Sequence, residues 1–111
     1  KKDVIWYYSY RKDIVIFVEI DFKKIEKIYG IEMLKLVRDN FDDITNNINY
    51  MKKLEFTDIE DIFERYTPIF ICSNKEFKDK INNLVNKLGI DYVSIIENDL
   101  SILEELLWLE K

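Results

Sequence analysis

From Ile31 to about Leu54, the residues Leu34, Val37, Phe41, Ile44, Ile48 and Met51 recur at steps of 3, 4, 3, 4 and 3. That spacing lines one face of a 3.6-residue helix. A coiled coil would carry the stripe through three or four heptads, but Glu55 takes the next position. The helix is therefore expected to bury its stripe inside its own domain, against a sheet.

Around this helix the sequence suggests both strands and further helices. Val4–Tyr10 and Asp13–Ile20 are rich in β-branched and aromatic residues and are separated by Arg11-Lys12, which reads as a β-hairpin. In its second strand Ile14, Ile16, Val18 and Ile20 share one face while Val15 and Phe17 take the other. With both faces apolar, that strand is expected to be central and covered on both sides. Asp21 is a candidate cap for a short helix over Phe22 to Tyr29, ended by Gly30.

Thr57-Asp58-Ile59-Glu60 has the form of a capping box and opens a short helix that Pro68 must end. Ile69 to Cys72 reads as a short buried strand. Ser73-Asn74-Lys75-Glu76 is a second box, opening a helix that buries Phe77, Ile81, Leu84, Val85 and Leu88 and stops at Gly89. Tyr92 to Ile96 reads as another strand. Ser101-Ile102-Leu103-Glu104 or Asn98 then starts a last helix to about Leu109. The expected fold is α/β (α+β): one domain over residues 1–111, with the hairpin and a C-terminal βαβα unit forming a small mixed sheet of about four strands packed with helices.

Composition limits the chemistry. The 111 residues include no His, two Gly and one Cys. Absent His removes the commonest general base and metal ligand, and the scarce glycines leave no phosphate-cradling loop. The bias toward Ile, Lys, Asn, Tyr and Phe reads as an AT-rich genome. A single cysteine forms no intramolecular disulfide, so a reducing cytoplasm is expected. The longest apolar run, Ile14 to Val18, is far short of the roughly 18 residues that span a bilayer. The opening Lys1-Lys2-Asp3, without Met, suggests a trimmed chain or a piece of a longer one.

Three constellations invite chemical readings. Cys72, between a strand end and a helix start, has the position of a thiolate nucleophile, but no base or second thiol attends it, so a packed core thiol is expected. Asp39, Asp42 and Asp43, and Asp58, Glu60, Asp61 and Glu64, are grouped closely enough for Mg²⁺ or Ca²⁺. Carboxylates early in a helix also complement its dipole, and no metal or cofactor is expected. Lys1, Lys2, Arg11, Lys12, Lys23, Lys24 and Lys27 near Trp6, Tyr8 and Tyr10 suggest a phosphate- and base-binding surface, but a pI of about 4.8 argues against nucleic acid.

Charge is unevenly spread along the chain. Residues 1–38 carry a net +3, residues 39–67 a net −5, residues 68–96 a net +1 and residues 97–111 a net −4. In the last segment Leu100, Leu103 and Leu107 form one stripe and Ile102, Leu106 and Leu109 a second, with Trp108 between them. One small sheet does not readily bury both, and exposed apolar patches mark contact sites.

The strand, capped helix, Leu-Gly-Ile turn, strand and helix read over Ile69 to Leu107 resemble in layout the C-terminal half of a STAS domain, the fold of anti-sigma-factor antagonists. The resemblance covers about a third of the chain and implies a regulatory domain. The family's Asp-Ser-x-Gly phosphorylation loop has no counterpart, since Leu54–Ile59 holds neither Ser nor Gly. The layout also serves many unrelated βαβ proteins, so no membership is drawn.

These readings lead to an expectation of a non-enzymatic acidic protein-interaction module, a regulator, adaptor or immunity- or inhibitor-type protein, acting on a basic protein partner. Ile102, Glu104, Glu105, Leu106, Trp108, Leu109, Asp58 and Asp61 are its expected contact residues, Trp108 as anchor. A homodimer is left open. The competing readings are a small enzyme using Cys72 or a carboxylate-bound metal, and a structural piece of a larger protein.

Overall fold

A computed structural model describes the backbone of residues 4–11 and 14–108 and the side chains of residues 20–106. Two strands, β1 (Val4–Arg11) and β2 (Ile14–Asp21), pair antiparallel, with Val4 opposite Asp21 and Arg11 opposite Ile14. The remaining elements are helical: α1 (Phe22–Tyr29), α2 (Ile31–Asp39), α3 (Phe41–Lys53), α4 (Ile59–Arg65), a 3-10 helix at Thr67–Phe70, α5 (Asn74–Leu88), α6 (Tyr92–Asn98), a 3-10 helix at Leu100–Glu104, and α7 (Glu105–Trp108).

The expected α/β mixed sheet of four strands is therefore overturned. The two C-terminal strands it required are absent, and the described residues are mostly helical. Nor is β2 a central strand, because the sheet has only two. The resemblance to a STAS domain falls with those strands.

Local chemistry accounts for several boundaries. The Asp21 carboxylate accepts from the Lys24 amide at 3.1 Å and caps α1. Gly30 (φ 100°, ψ 174°) ends α1, and Gly89 (φ 87°, ψ −164°) ends α5. Both occupy a region essentially reserved for glycine, beyond the ordinary left-handed well. The Ser73 hydroxyl accepts from the Glu76 amide at 3.2 Å and starts α5.

The long helix expected over Ile31–Leu54 is two helices broken at Asn40, whose side-chain amide and backbone N–H both donate to the Leu36 carbonyl, at 2.8 and 3.0 Å. Such a side chain competes with the helical ladder. The stripe nonetheless survives the break: Leu34, Val37, Ile44, Ile48 and Met51 are buried and Phe41 is half-buried.

The core is built around α3, which packs against β2, α4, the Thr67–Phe70 turn and α5. This helix is buried on more than its apolar stripe. Thr45, Asn47 and Asn49 are also inside. Phe63, Phe70 and Phe77 form a continuous aromatic run, with ring centroids 5.3 and 5.2 Å apart.

Asn47 explains why Ile69–Cys72 is not a strand. Its side-chain amide donates to the carbonyls of Phe70, at 2.9 Å, and Cys72, at 3.0 Å, while its oxygen accepts from Asn74 at 2.9 Å. Two of the segment's carbonyls, those of Phe70 and Cys72, are thus taken by a side chain instead of a neighbouring strand. Tyr92–Ile96 has no strand beside it either, and as α6 it satisfies its own backbone while burying Ile96. No helix among the described residues is long and apolar enough to cross a membrane.

Candidate functional site

The two acidic segments are joined through a loop. Between α3 and α4, Glu55 (φ 75°) and Asp58 (φ 46°) have left-handed backbones, uncommon for residues other than glycine and mildly strained. Between them Phe56 is buried against Tyr92, their centroids 6.1 Å apart. The Thr57 amide and hydroxyl both donate to Glu97 Oε2, at 2.8 and 2.9 Å. The capping box expected at Thr57–Glu60 is not formed, since Asp58 is the helix-preceding residue and Glu60 pairs with Lys52 at 2.9 Å.

This loop and α6 enclose an open cleft of about 500 Å³. Its lining is Glu55 from the loop, Ile90 and Asp91 from the turn after Gly89, and Tyr92, Val93, Ser94, Glu97 and Asn98 of α6. Three carboxylates line it, and no lysine or arginine does. Ile90, on the same turn, is 95% exposed. Among the described residues the other exposed large apolar side chains, Ile28, Ile31 and Leu36, are only about half-exposed.

The two acidic segments also influence one another electrostatically at Tyr66. The Tyr66 hydroxyl is held above its ordinary value of 10.0 by burial, then by the negative charge of Glu104, with Arg65 opposing and Asp99 adding to the rise. The Asp99 carboxylate is oriented by the Ser101 hydroxyl and amide, at 2.6 and 3.2 Å. Here Tyr29 also reaches α4, its hydroxyl 2.8 Å from the carbonyls of Glu64 and Arg65.

The expected contact residues divide into several groups. Asp58 and Glu104 are exposed, and the loop and 3-10 helix that carry them belong to these acidic surroundings. Asp61 is half-buried and pairs with Arg65 at 3.2 Å, and Glu105 pairs with Lys87 at 3.2 Å. Leu106 is 1% exposed and Ile102 packs against the core, so these two members of the apolar stripe lie inside instead of facing a partner. The described members of both C-terminal stripes, Leu100 and Leu103 of one and Ile102 and Leu106 of the other, are drawn inward because α7 packs on Thr67–Phe70 and the 3-10 helix before it packs on α6. Trp108 ends α7, but its side chain, like Leu109, lies outside the described residues. The cleft residues Glu55, Ile90 and Asp91 escaped sequence reasoning, although Ile90, an apolar residue just beyond a helix-ending glycine, was the available signal.

The chemical alternatives have these geometries. Cys72 is half-buried on the irregular stretch before α5, its sulfur 3.8 Å from the Ile69 carbonyl. Asp39, Asp42 and Asp43 border a smaller cleft with Arg38, whose guanidinium stacks 4.7 Å over the Phe22 ring. Among the described residues no group of three or more Cys, Asp or Glu is placed to hold a metal ion. Comparison of the chain with protein-family models, with curated proteins and with solved structures finds no match.

Proposed function

We propose that the chain is a non-enzymatic protein-interaction module that binds a basic protein segment in the cleft between the Glu55–Asp58 loop and α6. The observation that carries this reading is the pairing of Glu55, Asp91 and Glu97, unopposed by any cationic lining residue, with the almost fully exposed Ile90. Complementary charge steers a basic partner to such a surface. An apolar side chain with nothing over it supplies the contact that slows dissociation. A reducing cytoplasmic setting fits the single cysteine.

The test uses a synthetic peptide of alternating lysine and leucine, titrated into isotopically labelled protein. Amide shifts should concentrate at 55–58 and 90–98. Asp91→Lys should slow association, most visibly at low salt, because charges act chiefly on encounter. Ile90→Ser should instead speed dissociation. Shifts elsewhere on the molecule, or binding indifferent to both substitutions, would reject the assignment.

A further inference from the structure

The exposed large apolar side chains among the described residues fall at two places of opposite charge. Ile90 stands beside the carboxylates of the cleft, Glu55, Asp91 and Glu97, with no lysine or arginine in the lining. Ile28, Ile31 and Leu36 belong instead to α1 and α2, and two of them, Ile28 and Ile31, flank Gly30, where one helix ends and the next begins.

Lysines frame this Gly30 corner. Lys24 precedes Ile28 by four residues and Lys35 follows Ile31 by four, with Lys27 next to Ile28, and residues four apart are neighbours on a helix surface. The acidic residues of the same stretch point elsewhere. At 3.6 residues per turn Glu32 lies about 100° round α2 from Ile31 and Glu26 about 160° round α1 from Ile28, whereas Lys35 and Lys24 lie only about 40° from their isoleucines. Lys24 is drawn to Glu64 at 2.9 Å, while Lys27 and Lys35 are exposed.

We propose, resting on the cleft reading above, that the basic segment the cleft receives is the Gly30 corner of a second copy of this chain. The corner offers the amines and isoleucines that suit the cleft, and the cleft offers the carboxylates and the isoleucine that suit the corner. The chain's net charge of −5 does not oppose this pairing. At physiological salt, charges more than about 8 Å apart are largely screened, so the facing patches outweigh the total. The two patches lie toward opposite ends of α4 (Ile59–Arg65). The cleft loop ends at Asp58, just before that helix, while Tyr29, next to Ile28, donates its hydroxyl to the carbonyls of Glu64 and Arg65 at the far end. The contact is therefore head to tail, the cleft of one copy meeting the corner of the next, and a pair still has one unused patch of each kind.

The experiment is sedimentation velocity on the full chain from about 1 to about 200 µM, a range suited to the weak affinity of a small contact. The parent should sediment faster as concentration rises, and slower again when the lysine–leucine peptide is added, because the peptide takes the same cleft. Asp91→Lys spoils the cleft by setting like charges together, and Ile31→Ser spoils the corner by removing its apolar contact; thermal melts establish that both variants are folded. Each alone should weaken self-association about tenfold or more. Mixed, the two should form a 1:1 pair and stop there, since the Ile31→Ser copy keeps an intact cleft and the Asp91→Lys copy an intact corner. Variants that associate as the parent does, or a mixture that does not pair, would place any association on other surfaces and overturn the proposal. A parent that stays monomeric throughout also overturns it, and the cleft reading then stands if the peptide still shifts the amides at 55–58 and 90–98 and falls if it does not. Capture of a glutamate-rich peptide at the Gly30 corner of such a monomeric parent would name a different acidic partner in place of the second copy.

Discussion

Replacing Asn47 by alanine should destabilise the protein more than any other single polar truncation in the described interior. Asn47 has no exposed surface, and its amide spans two carbonyls and one side chain on the far side of the core. Without it the buried Phe70 carbonyl loses its side-chain donor, at a cost of about 1–3 kcal/mol. The Cys72 carbonyl and the Asn74 amide are only partly buried, so water recovers some of their bonding, and each loses roughly 0.5–1.5 kcal/mol. Alanine's better helix propensity returns about 0.5 kcal/mol. The net expectation is roughly 1.5–5.5 kcal/mol, a large part of the 5–15 kcal/mol by which domains are typically stable. Urea denaturation followed by far-UV circular dichroism measures it, with an unchanged slope showing that the denatured state is not what moved. Asn74→Ala removes only one of the three bonds and should cost about 0.5–1.5 kcal/mol. If Asn47→Ala lies within about 0.5 kcal/mol of the parent, or Asn74→Ala costs as much, the bridge does not hold the Phe70–Cys72 segment as argued.

Two further outcomes are expected. Leu106→Ala should lower stability by about 2–5 kcal/mol, as truncations in a closed core do, because Leu106 and Leu103 are both buried; a denaturant melt showing no loss would return that residue to the surface. Tyr66 holds its proton more tightly folded than unfolded, through burial and the nearby charges of Glu104 and Asp99, so its contribution is complete below pH 10.0 and is lost as pH rises through the folded value. Lys24, raised above 10.5 by its hydrogen bond to Glu64 and the charge of that residue, acts in the same direction from a higher threshold. Melting temperatures taken from pH 9 upward should therefore fall less steeply for Tyr66→Phe than for the parent, and identical slopes would refute the assignment.

What the sequence conveyed well was whatever a few neighbouring residues decide among themselves. The caps at Asp21 and Ser73, the stops at Gly30 and Gly89 and the stripe along α2 and α3 all rest on contacts within about one or two helical turns. The pattern at Thr57–Glu60 is the same motif as that at Ser73–Glu76. It failed because Glu97, 40 residues away, offered Thr57 a charged acceptor and Lys52 drew Glu60 aside. Short apolar runs failed for a related reason. Four or five such residues suit a buried strand or a buried helical turn equally, and the choice at 69–72 and 92–96 depends on whether a neighbouring strand exists. None does among the described residues. Asn47 lies inside an otherwise amphipathic helix, and nothing in its sequence neighbourhood announces that it will serve a distant segment.

The candidate cleft was the least legible part, since Glu55 and Asp91 are brought together only by the fold. Two departures from what folding alone favours nevertheless meet at that one place. Glu55 has a positive φ that an asparagine or glycine adopts at less cost, and Ile90 is an isoleucine where any small polar residue would serve a turn as well. Gly89 has nothing within 4 Å of where its missing side chain would lie, so the turn is not crowded into this shape by packing. Its glycine is required by backbone conformation alone. A chain whose caps, stripes and aromatic core otherwise agree with its fold is expected to break such rules where something other than stability is served. The coincidence of a strained carboxylate-bearing residue with the most exposed apolar side chain among the described residues is the physical reason behind our proposal that recognition takes place at this cleft.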